Sequence, residues 1–224
     1  MSDFSDPAAV ARYAERPIRL VPGFLDLQKM AAILLAERAP PDGDILVLGA
    51  GGGLELKVFA DGHPGWRFVG VDPSAEMLDL AAQMTAGHAA RTHLHHGYID
   101  TAPLGPFDGA TCLLTLHFVA QKDRLATLRA LHARLKPGAP LVVAHHSIPT
   151  EAAARALWLN RYAAFATASG VPAADSQNAA VAIGQRLPVL SPEEDEALLR
   201  AAGFADVSLF YAGFSFRGWV GYAA

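Results

Sequence analysis

The amino-acid sequence predicts an α/β fold in which one doubly wound, mostly parallel sheet carries helices on both faces. Short apolar runs alternate with helical segments from residue 45 to residue 146, a pattern typical of parallel strands joined by right-handed crossovers. A glycine-rich turn, Gly49–Gly53, follows the first of these runs. The chain has 224 residues, 52% of them apolar, which is enough for one large core.

The individual elements follow from apolar spacing and from helix-breaking residues. Residues 24–38 carry apolar side chains at helical spacing, and the Pro-Pro-Asp-Gly run at 40–43 ends that helix. Ser74 is expected to cap a helix, and Lys136-Pro137-Gly138 to end another. The predicted strands are 45–48, 66–71, 92–96, 107–114 and 141–145, and the predicted helices among them are 54–60, a segment from 75 onward, and 125–135.

The alternation of strand and helix stops after residue 146. Residues 150–185 are rich in alanine and favour helix, and we expect them to form a small helical cap over the strand ends. The closing elements are predicted to be a helix at 191–202 that Gly203 ends, and strands at 205–210 and 214–222. The prediction is therefore one domain, 1–224, with a helical N-terminal segment, 1–40, and the cap as an insertion.

Charge and cysteine content exclude several classes of protein. Lys and Arg number 18 against 22 Asp and Glu, a net charge of −4, so no global basic charge indicates a nucleic-acid partner. The single cysteine, Cys112, excludes an internal disulfide and a multi-cysteine metal site, and it fits a cytoplasmic setting. The first ten residues lack a signal-peptide core, and the longest apolar stretches, such as 110–120, are too short for a membrane span. We expect a cytoplasmic monomer or homodimer without membrane contact.

The glycine turn and the acidic residue after the next strand indicate a ligand that contains a ribose. Glycines let the backbone turn sharply and let a ligand approach without a Cβ atom in the way. Asp72 ends the following strand, where a carboxylate can accept both ribose hydroxyls. Leu54 stands where a dinucleotide fingerprint needs its third glycine, and no phosphate-loop lysine follows. A bare strand-to-helix turn is the competing interpretation of the glycines.

Four motifs, taken together and in this order, resemble those of class I S-adenosylmethionine-dependent methyltransferases over residues 20–224. The resemblance implies S-adenosylmethionine as cofactor and a seven-stranded sheet whose last strand is antiparallel. Val21–Phe24 and the aromatic ending after Gly203 are similar to the branch that contains carboxy-S-adenosylmethionine synthase, which acts in tRNA wobble-uridine modification. The four motifs are the runs 45–53, 69–77, 107–108 with 114–119, and 135–138.

The resemblance also implies roles for individual residues. Asp72 is the expected ribose acceptor, and Tyr98 stands where the family often has an aspartate, with Asp100 as a shifted polar contact. The implied cofactor-binding set consists of Gly49, Ala50, Gly51 and Gly53 beneath the methionine part, Asp72, Pro73, Met77, Tyr98 and Ile99 around the ribose and adenine, and Leu114 and Thr115 near the sulfonium.

Residues before the first long helix are candidates for the cofactor's carboxylate. An N-terminal segment can close over a cofactor, and the guanidinium fork of arginine matches a carboxylate. Tyr13 and Arg19 are therefore added to the predicted cofactor-binding residues, and Arg16 lies between them. Ordinary solvated surface positions are the competing interpretation for these side chains.

Histidines supply the candidate catalytic groups. His117 follows the fourth predicted strand and His145 and His146 end the fifth, so they belong at the edge where an acceptor would meet the methyl group. An imidazole can act as a base near neutral pH if the acceptor must lose a proton. The second histidine cluster, His93 to His96, places its side chains on both faces of a strand, and we expect no metal site there.

The resulting functional prediction is methyl transfer from S-adenosylmethionine to a small, partly apolar acceptor, because the cap supplies Trp158, Tyr162 and Phe165 and no dense basic run. A carboxy-S-adenosylmethionine synthase-like or tRNA-pathway enzyme is the first competing hypothesis, and it keeps tRNA open as a partner. Arg186 is an approximate candidate for the arginine that such a synthase uses for the extra carboxylate. A non-catalytic S-adenosylmethionine-binding regulatory protein is a further hypothesis. A nicotinamide-dependent oxidoreductase is the last one, and Leu54 counts against it.

Overall fold

A computed structural model describes residues 7–224 of the chain, and its side chains from Tyr13 onward. Residues 1–6, on which the signal-peptide prediction partly rests, lie outside the described part. The strands are β1 (Asp44–Leu48), β2 (Arg67–Asp72), β3 (Thr92–His96), β4 (Gly109–Leu113), β5 (Pro140–His146), β6 (Phe204–Gly213) and β7 (Phe216–Ala223). The α-helices are α1 (Pro7–Leu20), α2 (Phe24–Ala36), α3 (Leu54–Gly62), α4 (Ala75–Met84), α5 (Gln121–His132), α6 (Ala152–Ala168), α7 (Ala173–Arg186) and α8 (Pro192–Ala201).

The seven strands form one sheet in the order β3-β2-β1-β4-β5-β7-β6. The first five are parallel to their neighbours, and β7 lies antiparallel between β5 and β6. This arrangement confirms the predicted α/β fold with a mostly parallel sheet. The order reverses between β1 and β4, so their carboxyl ends open a crevice of the kind in which α/β proteins bind ligands.

The central strands are buried on both faces because helices cover the sheet on each side. Successive residues of β1 alternate between two cores: Ile45 and Val47 belong to one, and Leu46 and Leu48 to the other. The same alternation continues in β5, where Val142 and Val143 face opposite cores. Because both faces of these strands are buried, the strands are continuous apolar runs in the sequence.

Helix boundaries follow local backbone chemistry. The predicted helix at 191–202 is α8, which begins with a capping box: the Glu194 N–H donates to Ser191 Oγ, and the Ser191 N–H donates to the Glu194 carboxylate. The predicted cap at 150–185 consists of two helices, α6 and α7, because Gly170 has a φ of 91° and Pro172 precedes α7.

Several predicted boundaries were wrong, and two elements show the reason. The predicted strand 107–114 is only Gly109–Leu113, because Leu114 takes a left-handed backbone with a φ of 55°. The predicted helix 125–135 starts at Gln121 and ends at His132, since the following residues turn back to bridge Phe107 with Leu135. Among the described residues, no helix is both long and apolar enough to cross a membrane.

Replacing Gly53 by alanine tests how tightly the glycine turn is held against α4. Gly53 has a φ of 82°, and a Cβ atom there would lie 2.9 Å from Ala81 Cα. We expect the Gly53→Ala variant to lose about 2 kcal/mol or more of unfolding free energy, measured by urea denaturation. Gly62→Ala, in the last turn of α3 with open space around it, is the matched control and should lose nothing. Equal stability of the two variants would contradict this account of the turn.

Candidate active site

A cavity of about 1230 Å³ lies at the carboxyl ends of the central strands. Its floor is formed by the segments that follow β1, β2, β3 and β4, and its walls include residues of α1, α2, α6 and α7. The lining is largely apolar, with a few carboxylate, imidazole, phenol and guanidinium groups among it. This combination is typical of a small-molecule site.

The glycine turn is held in place by the end of β2. The N–H groups of Gly49 and Ala50 both donate to the carbonyl oxygen of Val71, at 2.8 and 3.0 Å. Gly49 has a φ of 78°, and any Cβ atom there would overlap the Thr115 side chain. Gly49, Ala50 and Gly51 line the cavity as the prediction requires.

Gly53 is a correction to the predicted set. It does not line the cavity; it precedes α3 and faces Ala81 of α4. Its left-handed backbone lets the chain leave the turn and start the helix. The sequence shows a glycine at this position but does not show which of the turn's residues face a ligand.

Asp72 joins the glycine turn to the start of α4. Its Oδ2 accepts a hydrogen bond from the Gly51 N–H and its Oδ1 accepts one from the Ser74 N–H, each at 2.9 Å. The side chain borders the cavity although the residue is only 9% exposed. Each carboxylate oxygen can accept more than one hydrogen bond, so a fixed, oriented acceptor faces the cavity.

Most of the predicted contacts around Asp72 also border the cavity. Ile99 is buried, whereas Tyr98 is 68% exposed at the cavity edge. Asp100 does not line the cavity, and its carboxylate accepts from the Thr101 N–H. The predicted residues that line this part of the cavity are Pro73, Met77, Tyr98, Ile99, Leu114 and Thr115.

Helix α1 places one of its two predicted residues at the cavity. The Tyr13 hydroxyl accepts a hydrogen bond from the Gly52 N–H at 2.9 Å, and burial raises the pKa of this phenol. Arg19 is a correction: it is exposed and pairs with Glu15 at 2.9 Å, one helical turn away, outside the cavity lining. Arg16 lines the cavity instead, because it lies on the helix face that Tyr13 shares.

Two of the three candidate histidines form a buried pair. His117 Nδ1 accepts a hydrogen bond from the backbone N–H of His146 at 3.2 Å, and the ring centroids are 4.8 Å apart. His146 Nδ1 lies 3.0 Å from Ser215 Oγ, and its ring stacks on Phe216. Burial lowers the pKa of His117 well below its usual value and that of His146 to about 3. Both rings are therefore neutral near pH 7.

His145 is a further correction. It precedes His146 on β5, so its side chain points to the opposite face of the sheet. Its Nε2 lies 3.1 Å from an Asp195 carboxylate oxygen of α8, and its ring lies beside Trp219. It does not line the cavity, so it does not share the location of His117 and His146.

The cap contributes fewer aromatic side chains to the cavity than the sequence predicts. Tyr162 lines it, whereas the Trp158 ring contacts the guanidinium groups of Arg161 and Arg217, and Phe165 packs on Phe214. Within the part of the chain described, no group of three metal-ligating side chains converges, the histidines of β3 included.

Sequence reasoning missed two buried polar residues of the lining, Gln28 and Glu55. They are 3% and 7% exposed. A signal for Glu55 was available: it shares the buried face of α3 with Leu56, Phe59 and Ala60, where a carboxylate is out of place. Arg186, the approximate candidate, does reach the cavity lining at the end of α7.

Known proteins resemble this chain in sequence over nearly its full length. Residues 46–141 match the family model described as a methyltransferase domain. The carboxy-S-adenosyl-L-methionine synthase of Methylococcus capsulatus is 28% identical over 98% of this chain and 93% of its own. S-adenosylmethionine is thus the cofactor or substrate of the proteins that this chain resembles, and the predicted cofactor is confirmed.

Solved structures show the same fold. The pyocyanin biosynthetic protein PhzM superposes with a TM-score of 0.68 at 19% identity, covering 97% of this chain and 59% of that one. An O-methyltransferase family 2 protein from Planctomyces limnophilus, solved in complex with apigenin, gives a TM-score of 0.62 at 17% identity, covering 100% of this chain and 63% of that one. The chain spans about three fifths of the length of these two structures.

The buried histidine pair makes stability depend on pH. In the folded protein His117 and His146 stay neutral, whereas in the unfolded chain each takes up a proton below about pH 6.5. The contribution is present above that pH and is lost as the pH falls below it. We expect the unfolding free energy to drop between pH 7 and 5 by up to about 1.4 kcal/mol per pH unit for each histidine.

Urea denaturation at a series of pH values checks this expectation. His117→Asn keeps a hydrogen-bond acceptor near the His146 N–H and removes one titrating group, so its pH slope should be shallower than that of the native chain. Measurements at pH 7.5 control for the direct effect of the substitution. An unchanged slope would show that the buried pair does not control the acid response.

Proposed function

We propose that this chain, which belongs to the class I S-adenosylmethionine-dependent methyltransferase superfamily and resembles its carboxy-S-adenosylmethionine synthase branch, transfers a methyl group to a small, partly apolar acceptor. The observation that carries the proposal is the Asp72 carboxylate, fixed at the end of β2 beside a glycine turn and facing a 1230 Å³ cavity. We further propose that the chain acts as a single domain in the cytoplasm, as a monomer or homodimer.

The cavity residues fit the parts of S-adenosylmethionine. Gly49 and Gly51 line the cavity where the methionine part would lie against the turn. Asp72 would accept the ribose hydroxyls. An apolar slot for the adenine would be formed by Pro73, Met77 and Ile99, with Tyr98 at its edge. When bound, the cofactor supplies a methyl group that its sulfonium makes electrophilic.

The acceptor's place is proposed beside Leu114 and Thr115, where His117, His146 and Tyr162 line the cavity. Since His117 Nδ1 accepts from a backbone N–H, its neutral ring carries its proton on Nε2 and can donate a hydrogen bond to an acceptor oxygen. We propose that His117 and His146 orient the acceptor. Their apolar neighbours in the cavity lining would exclude water.

A carboxy-S-adenosylmethionine synthase-like activity is the second candidate. The full-length similarity to such a synthase favours it, and so does Arg186, whose guanidinium at the cavity lining could meet an additional carboxylate. The two candidates differ in the product: methyl transfer leaves S-adenosylhomocysteine, and the synthase-like reaction leaves a carboxylated cofactor.

Removing the Asp72 carboxylate should weaken cofactor binding. We expect Asp72→Ala to raise the dissociation constant of S-adenosylhomocysteine about 5- to 150-fold, equivalent to about 1–3 kcal/mol, because charge-assisted hydrogen bonds are lost. Isothermal titration calorimetry measures this dissociation constant. Asp79→Ala, an exposed aspartate on α4, is the matched control and should bind as the native chain does. Native-like affinity of a folded Asp72→Ala variant would remove Asp72 from the ribose site.

The reaction is tested with the purified chain and cofactor labelled in its methyl group. We expect label in the small-molecule fraction of a metabolite pool. Label only in tRNA would contradict a small acceptor, and a carboxylated cofactor in the mass spectrum would favour the synthase-like candidate. Tight binding without turnover over every pool would indicate a regulatory binding protein.

A further inference from the structure

Glu55 carries a buried carboxyl group that borders the cavity just after the glycine turn. It lies in the first turn of α3, is 7% exposed and belongs to the cavity lining. Thr111 of β4 donates a hydrogen bond from its Oγ1 to Glu55 Oε1 at 2.5 Å. Thr111 is itself fully buried in the sheet, so this contact fixes the carboxyl group below the carboxyl edge of the strands.

Among the described residues, no lysine, arginine or histidine acts on the Glu55 carboxyl group. Two titratable groups in the described part of the chain interact electrostatically with Glu55: the Tyr13 phenol of α1 and the Cys112 thiol of β4. Neither group is a cation. Gln28 of α2 is a second buried polar group in the same lining, and its amide is neutral. Burial raises the pKa of the Glu55 carboxyl to about 8.

A buried carboxyl group in this position is costly unless a ligand uses it. An ionised carboxylate without a counter-charge is strongly disfavoured in an apolar interior, whereas a cation delivered next to it restores the balance. The cavity lining includes the glycine turn, where the methionine part of the proposed cofactor would lie, and Glu55, which follows that turn in the chain. The amino-acid end of that part carries an ammonium group.

We propose that Glu55 is the binding partner of the cofactor's α-ammonium group, and that binding displaces a proton from the Glu55 carboxyl to the solvent. This inference rests on the proposed binding of S-adenosylmethionine. The O–H bond of the carboxyl breaks, its proton goes to the buffer, and the carboxylate pairs with the ammonium group, so charge and atoms balance.

Calorimetry with two ligands tests the inference on the full chain. S-adenosylhomocysteine carries the ammonium group without the sulfonium, and 5′-methylthioadenosine lacks the amino-acid part altogether. Each is titrated at pH 7 in phosphate and in Tris, whose different ionisation enthalpies report proton release. We expect release approaching one proton for S-adenosylhomocysteine and none for 5′-methylthioadenosine.

The Glu55→Gln variant supplies the second readout and keeps an oxygen that can accept from Thr111. It should bind S-adenosylhomocysteine at least ten-fold more weakly, without proton release, and bind 5′-methylthioadenosine within two-fold of the native value. Glu193→Gln, an exposed glutamate on α8, is the matched control. If Glu55→Gln does not fold, the proton count on the native chain still decides.

The outcomes separate this inference from the proposed function. Failure of both ligands to bind the native chain would contradict the proposed function itself. Binding of both with no proton released, or with release from both alike, would overturn the role of Glu55 and leave the proposed function standing.

Discussion

The hydrogen bonds between the end of β2 and the glycine turn are the constraint on which the rest of the site depends. The Val71 carbonyl and the Asp72 carboxylate together accept from the N–H groups of the turn, at residues 49–51. These bonds fix the turn against the neighbouring strand, and Gly49 then leaves room for Thr115 at the end of β4. Because one set of contacts locks three strand ends, the protein's own hydrogen bonds shape the floor of the cavity. Preorganisation of this kind lowers the cost of ordering a bound molecule.

The two-residue period of β5 creates two different histidine environments from adjacent positions. His146 faces the cavity and contacts Phe216, whereas His145 faces α8 and lies beside Asp195. Arg124 of α5 also approaches Asp195, so that face of the sheet holds a buried polar cluster remote from the cavity. The same strand thus supports the packing of α8 with one histidine and borders the cavity with the next. The stability contributions of the two groups are therefore separable.

Local chemistry made most of the fold predictable, and tertiary geometry limited the prediction of the site. Ser74 and Ser191 cap the helices that begin directly after them, and the glycine turn joins β1 to α3. These effects are local, so they follow from the sequence. Which arginine of α1 faces the cavity depends on how the helix is rotated against the sheet, and the sequence does not reveal this rotation. The same holds for the face of β5 that each histidine occupies. The apolar face of α3 marks Glu55 as unusual, but its partner, Thr111, is 56 residues away in the chain and does not follow from the sequence.

The protonation states around the cavity constrain the chemistry of the proposed acceptor. His117 and His146 are held neutral by burial, and a ring whose pKa is about 3 is a weak base. Among the carboxyl groups of the described lining, Asp123 is exposed on α5, whereas Asp72 and Glu55 are buried beside the glycine turn, where the cofactor is proposed to bind. A site of this kind suits an acceptor that is already nucleophilic, such as an amine or an acidic phenol, more than an alcohol that needs strong deprotonation. In the proposed function, selectivity therefore comes from the orientation of the acceptor and the exclusion of water at the buried histidine pair. The cofactor supplies the chemical reactivity.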